Sequence, residues 1–253
     1  MTSLIAQSWL QTTWPADQVR HEAGFLLRRS SSGGLAAASA LLQDADWSVE
    51  RAENAMRAWD QHPIFEIWPE NAPHHAALDV DLERRGYRRS ASWHLLEGDA
   101  ADIALEQCEE HTIFCEAILA CIEEIWAASA PDLSPYAPLI EGPNSPARLP
   151  TAPMERAVPP KTWILGRQGD TPSGCAFVAV ADTTAVLRAL AVLELARRQG
   201  LGHRMVRAGA AWAVAQGARR FATILQEENR PARALFSALG MTATGRFHYR
   251  IAP

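Results

Sequence analysis

Apolar residues along the chain recur first with short strand-like runs and then at helical spacing, and the alternation repeats to the end. Residues 24–29 read as a strand, 30–34 as a flexible turn and 35–42 as a returning segment, which together form a hairpin pattern. Residues 47–61 carry apolar positions at helical spacing, and Ile64-Phe65-Glu66-Ile67 has the look of a short strand. Residues 76–85 follow as a helix closed by Gly86 as its C-cap, and 87–95 as a strand. The stretch Leu96-Glu97-Gly98-Asp99-Ala100-Ala101-Asp102 then breaks the period and divides the chain into halves, 1–100 and 101–253.

The second half opens on a helical pattern over 108–129, with Ile113, Ala117, Ala120 and Ile125 on one stripe. Prolines between 131 and 160 argue for a surface-crossing loop with a short helix at Met154, placed to border a substrate site. Residues 161–167 and 174–181 form a two-strand meander, and 184–192 a further strand. Helix, strand, helix and strand follow at 202–216, 220–226, 230–239 and 244–251. This order implies a mixed α/β fold, with a sheet flanked by helices.

Composition narrows the class. With 253 residues, 48% hydrophobic and 21% charged, the chain has the make-up of an ordinary globular protein able to bury a sizeable core. A formal charge of -5 gives no reason to expect nucleic acid or an anionic membrane as partner. No apolar run approaches the roughly 20 residues of a membrane helix, and residues 1–14 lack the order of a signal peptide, so a cytoplasmic location is expected. Cys108, Cys115 and Cys121 fall on one predicted helix and Cys175 on a strand, without a CxxC pair, and read as small buried hydrophobes. His62 and the pair His74-His75 lack a carboxylate or cysteine framework; they read as solvated, and no metal is expected. Nine tryptophans are expected mainly in the core.

The segment with chemical content is Arg197-Arg198-Gln199-Gly200-Leu201-Gly202-His203-Arg204-Met205, between a strand and an amphipathic helix. Glycine at 200 and 202 lets the backbone turn sharply and approach a ligand without an intervening Cβ. The free amides, the positive end of the helix and the charges of Arg197, Arg198, His203 and Arg204 suit a pyrophosphate. The same glycines also suit a bare strand-to-helix turn, so context has to decide. A P-loop would need Gly-Lys-Ser/Thr where this turn has Gly202-His203, and a dinucleotide fingerprint would need a third glycine where Met205 stands.

That context is a resemblance to the GNAT acetyltransferases. Arg197, Gly200 and Gly202 match the family signature [RQ]-x-x-G-x-[GA]. Leu190, Ala191 and Val192 resemble the splayed fourth strand, Glu228-Asn229-Arg230-Pro231-Ala232 the N-x-P-A segment, and 235–241 the segment that ends that helix. Residues 78–87 look like the closing helix and strand of another such unit without its glycine turn, which suggests either a tandem arrangement with a degenerate first half or a family-specific N-terminal domain over 1–100. The resemblance implies a central, mostly antiparallel sheet flanked by helices. It also implies acetyl-CoA as co-substrate at Leu190, Ala191, Val192, Arg197, Arg198, Gln199, Gly200, Leu201, Gly202, His203 and Asn229.

The family implies direct transfer to a neutral amine, with a strand amide, at Ala191 or Val192 here, steadying the oxyanion. The acceptor is expected to be a small-molecule amine, a protein amine being less favoured, and a homodimer stays open. Where many relatives carry a strand glutamate, this strand offers Arg188 and Leu190, leaving Glu194, Glu227 and Glu228 as candidate bases. The tyrosine usual in the N-x-P-A helix is replaced by Phe236, so Tyr249, His248 and Tyr136 are candidate acids unless the thiolate departs unaided. Tyr249 and His248 alternate on one strand, so at most one faces the cleft. The rival reading, motivated by Phe236 and the missing glutamate, is a non-catalytic acyl-CoA-binding or sensing module.

Overall fold

The strands join edge to edge into a single twelve-stranded sheet in the computed structural model, which describes residues 2–31, 34–70, 73–104, 111–129 and 151–253. The first half supplies β1 (Gln18–Glu22), β2 (Phe25–Arg29), β3 (Ala40–Leu42), β4 (Ile64–Ile67), β5 (Arg88–Arg89) and β6 (Trp93–Asp99). The second supplies β7 (Thr112–Cys115), β8 (Lys161–Gln168), β9 (Thr171–Ala181), β10 (Thr184–Val192), β11 (Arg220–Gln226) and β12 (Thr242–Ile251). Their order is β1-β2-β3-β4-β12-β6-β11-β10-β9-β8-β7, with β5 pairing β12. Among the described residues only β3–β4 and β10–β11 are parallel pairs, so the sheet is mostly antiparallel, as expected.

The middle of this order exchanges strands between the halves. β12, last in the chain, lies between β4 and β6, with His248 opposite Ile67 and Phe247 opposite Trp93. β6, from the first half, lies between β12 and β11, with Asp99 opposite Arg220 and Trp93 opposite Gln226. Each half therefore completes its hydrogen-bond ladder with a strand from the other. Aromatic rings lock the crossing: Trp68 stacks on Phe247 with centroids 4.6 Å apart, and Trp93 and Tyr249 flank the same ring.

Helices cover both faces because strand alternation leaves both faces apolar. On one face α4 (Ala100–Ala104), α7 (Leu201–Ala215) and α8 (Arg230–Ala238) enclose Leu96, Val178, Leu187, Met205, Phe221 and Phe236. On the other, Trp9 and Leu10 of α1 (Thr2–Thr13) close over Leu41, Trp68, Leu95, Val186 and Phe247. Helix α5 (Ala120–Ser129) and the short α6 (Thr151–Arg156) pack Ile122, Ile125 and Met154 against Trp163 and Phe177. In the first half, α2 (Val49–Ala58) and α3 (Pro73–Arg84) bury Met56, Leu78 and Leu82 against Phe25 and Phe65. Ser48 caps α2 by accepting from the Arg51 amide.

Several local expectations need correction. The helix read over 108–129 is a strand and a shorter helix: Thr112-Ile113-Phe114-Cys115, β-branched and aromatic, pairs with β8 before α5 begins at Ala120. Residues 2–13 and 18–22, where no element was read, form α1 and β1. The period break at 96–102 is β6 running to Asp99, whose carboxylate then accepts from the Ala101 and Asp102 amides and starts α4. His74-His75 lie on α3, where His75 is buried and its Nδ1 accepts from the Trp68 amide at 3.3 Å; burial lowers its pKa to about 4. Cys108, Tyr136 and most of the proline-rich stretch lie outside the described residues.

Because the halves share β6 and β12, urea unfolding followed by tryptophan fluorescence and by far-UV circular dichroism is expected to give one coincident transition. Phe247→Ala is expected to move both midpoints together, at a cost of about 3–5 kcal/mol, whereas separate transitions would show that the halves stand alone.

Candidate active site

The sheet opens at one place. β10 and β11 pair in parallel only through Thr184↔Arg220 to Leu187↔Thr223, after which no register continues between them. The Thr223 hydroxyl donates to the Leu187 carbonyl at 3.0 Å and marks the last tie. Just beyond it β10 bulges, with Arg188 opposite Phe177 but Ala191 opposite Cys175, so three steps on β10 match two on β9. Ala189 takes φ 52° to make the bulge. Leu190, Ala191 and Val192 thus form the diverging arm of β10, beside a gap between two strands that each have backbone groups to offer.

At the end of that arm lies the glycine turn. Gly200 sits at φ 80° as N-cap of α7 and no side chain caps the helix. The Arg204 amide donates to the Gly200 carbonyl, so the amides of Leu201 and Gly202 precede the first intrahelical acceptor. Side chains brace the turn: Arg197 Nε donates to the Val192 carbonyl at 3.0 Å, Gln199 Nε2 to the Leu195 carbonyl at 2.9 Å, and Arg204 to the Gln199 carbonyl at 3.1 Å. Arg198, at φ 63°, and Gln199 are exposed. A Cβ at Gly202 would stand 3.6 Å from Leu235 and 3.8 Å from Val192, so this glycine floors the passage from the β10 arm to α8. The residues present therefore fit a pyrophosphate at the helix start and an extended arm running into the strand gap.

The other expected residues are dispersed. Asn229 caps α8, its Oδ1 accepting from the Ala232 amide at 3.1 Å, with Pro231 in the first turn. Ala191 pairs with Cys175 of β9, whose thiol donates to the Ala189 carbonyl at 4.0 Å and is pushed up to about 12 by burial, and the Leu193 amide donates to Ser173; alternation turns the Leu190 and Val192 amides toward the gap. Glu227, at the end of β11, pairs with Arg246 at 2.9 Å and lies 3.7 Å from His94. Desolvation pulls its pKa upward, but Arg246 and His94 outweigh that and hold it below the ordinary carboxylate range. Glu194 and Glu228 are exposed. His248 and Tyr249 point to opposite faces of β12. His248 is locked at 2.8 Å to Asp79 of α3, which also holds Arg250 at 2.7 Å. Tyr249 is buried on the α1 face, where burial raises its phenol well above the usual range. Phe236 is a core residue of α8. Among the described residues no group of three His, Cys, Asp or Glu side chains comes together as a metal site, and no helix is long and apolar enough to cross a membrane.

Sequence reasoning passed over a buried polar cluster behind the gap. Arg28, Glu66, Arg188 and Tyr249, with Gln11 of α1 and Phe247, line a small pocket on the α1 face. These residues come from β2, β4, β10, β12 and α1, and only the exchange of β12 brings them together. Nothing in the local sequence announces that meeting.

Residues 122–241 match the model of the acetyltransferase (GNAT) family, and the chain carries a GNAT-family domain over that span. Members of this family are acyltransferases, and the first half forms a second fold region joined to the domain. No curated protein matches the sequence. Among solved structures, the chain is similar to a GCN5-related N-acetyltransferase from Kribbella flavida, at 18% identity and TM-score 0.69, covering 99% of this chain and 95% of that one. A putative GNAT acetyltransferase from Novosphingobium aromaticivorans aligns at 14% identity and TM-score 0.57, over 95% and 94%. A tandem GNAT protein from the clavulanic acid biosynthesis pathway aligns at 16% identity and TM-score 0.52, over 79% and 67%. At these identities the likeness is one of fold.

Two stability measurements follow from these local contacts. Asn229→Ala is expected to cost about 1 kcal/mol in urea denaturation through loss of the cap. Asp79→Asn leaves Arg250 and His248 buried without their acid and is expected to cost about 3 kcal/mol at neutral pH. Burial raises the Asp79 pKa, but hydrogen bonds from His248 and Arg250 win and depress it. Its stabilisation is therefore present above the unfolded carboxyl pKa and fades as pH falls below about 4, so the two proteins are expected to converge in acid.

Proposed function

We propose that the chain transfers an acetyl group from acetyl-CoA to an amine by direct attack. The observation that carries this reading is the parting of β10 from β11 after Leu187 and Thr223, directly in line with the uncapped start of α7. The amides of Leu201 and Gly202 hold the pyrophosphate, with Arg198, Gln199 and His203 at its rim. Main-chain groups of Leu190 and Val192 bond the extended arm as an added strand would. Acetyl-CoA supplies an acyl group activated as a thioester.

The arm of β10 then acts as a positioning device. An amide on it at Leu190 or Val192 donates to the oxygen on which charge develops, and the sheet holds that donor in place before reaction. Glu227 is a weak base while paired with Arg246, so the acceptor amine loses its proton to Glu227 through water or enters already neutral. No phenol stands on α8 at Phe236, and the leaving thiolate, with a pKa near 8.5, departs without a dedicated acid. We assign residues 101–253 to the transfer domain and 1–100 to a GNAT-like unit that walls the acceptor side, where Gln11 of α1 and Glu66 of β4 line a pocket with Arg188 and Ile224.

Calorimetric titration of acetyl-CoA into wild type and Gly202→Trp tests the reading. Wild type is expected to bind and the variant to lose at least about tenfold in affinity, since an indole at 202 fills the passage between Val192 and Leu235. Release of free thiol with an amine panel is expected in wild type. Binding without thiol release on any amine would favour a sensing module, and no binding by wild type would sink the proposal.

A further inference from the structure

The pocket behind the strand gap holds unbalanced charge. Glu66 spends both carboxylate oxygens on other partners: Oε2 accepts from Arg28 at 2.6 Å and Oε1 from the Trp68 indole at 2.6 Å. Arg28 is also satisfied by the Ser39 carbonyl at 3.0 Å and hydroxyl at 2.6 Å. That leaves Arg188. Its side chain is buried, its Nε meets no acceptor, and it forms no ion pair with any described residue. Among the described residues it rests on the face of Trp14, 5.3 Å from the guanidinium carbon, with Glu66 acting on it through charge alone. Tyr249, beside it, is held neutral by burial and supplies no compensating charge. Two cations and one anion therefore line a single pocket, and a buried cation that shares its only nearby anion with another is disfavoured.

Position gives that charge a purpose. Arg188 is the first β10 residue after the last rung shared with β11, and its side chain lies on the α1 face, opposite the α7 face where the glycine turn lies. Ile224, the first β11 residue past the same rung, lines the same pocket. A molecule seated here reaches the gap from behind, opposite the entry of the pantetheine arm. The void in the pocket, about 10 Å³, has room for about one water-sized group rather than a whole ligand. It takes one oxygen of an anionic group whose remainder extends into the gap.

We infer that the acceptor is an amine that also bears a carboxylate, as an amino acid does, and that Arg188 receives this carboxylate and so determines specificity. The planar guanidinium presents parallel N–H donors that match a carboxylate, and bringing the anion in neutralises the surplus cation. Gln11 and the Tyr249 hydroxyl provide further polar groups around it. The inference rests on the transfer reading above for its function, but the carboxylate pocket can be tested without turnover.

Two arms separate the claims. In the first, the melting temperatures of wild type, Arg188→Met and Arg188→Gln are measured in sodium acetate and in sodium chloride at equal ionic strength, and with phenylalanine, lysine and β-alanine. Wild type is expected to gain stability from the carboxylates and both variants to gain none, while the Met variant is the more stable of the three in chloride. The Gln variant guards against a folding failure of the first. In the second arm, thiol release from acetyl-CoA is compared for phenylalanine against phenethylamine and lysine against cadaverine. Wild type is expected to favour the carboxylate-bearing member by at least about 100-fold in kcat/KM, chiefly through KM, and the variants to lose that preference while binding acetyl-CoA as wild type does.

Equal stabilisation of wild type and variants by every carboxylate would make Arg188 a structural cation and overturn the inference, as would turnover that prefers the decarboxylated amines. If acetyl-CoA does not bind but carboxylates still stabilise wild type alone, the transfer reading fails and the pocket assignment stands.

Discussion

The pairing of β6 with β12 is the contact on which the rest of the molecule depends. Each strand belongs by sequence to one half and by hydrogen bonding also to the other, and the aromatic stack of Trp68, Phe247 and Trp93 fixes their register. A slip of one residue along β12 would exchange Tyr249 for His248 on the α1 face and put Arg250 where Ile251 packs. The buried pairs of His248 and Arg250 with Asp79 make that slip more costly still. The glycine turn, the parted strands and the polar pocket all take their relative positions from this register.

The two ligand surfaces use different physics. At the start of α7 the backbone does the work: amides that the helix cannot satisfy point outward, and glycine removes the side chains that would cover them. Behind the gap the chemistry lies in side chains, with one ion pair satisfied internally and a second guanidinium left over. The bulge at Ala189 connects them, since the extra residue on β10 turns the arm away from β11 just after Arg188. A single local irregularity thus opens the sheet and marks the point where the two faces communicate.

How much of this could be read beforehand depends on how local each signal is. The glycine turn, the helices around it and the strands from 161 to 251 are written in short periodic runs with their own caps, so sequence reading placed them within a few residues. Thr112 to Cys115 was read as helix because its apolar residues also fit a helical stripe, and only pairing with β8 settles it as a strand. β6 hid behind Gly98 and its acidic neighbours, which look like a linker until a strand from the other end of the chain lies alongside. The Arg28, Glu66 and Arg188 cluster was the least legible, since its members are 38 and 122 residues apart and meet only through the strand exchange. His75 shows the same limit, a polar residue beside an exposed twin that becomes buried only because α3 packs on β4.

The exchange also has a temporal side. β4 has no partner on that edge until β12 has been made, and β6 must wait for β11 as well. Contacts of such long sequence separation slow folding, and a strand edge exposed in the meantime invites pairing with another molecule. Until β12 is made, residues 64–67 and 93–99 keep an unpaired strand edge, and a chain cut before residue 242 would leave the first half open-edged.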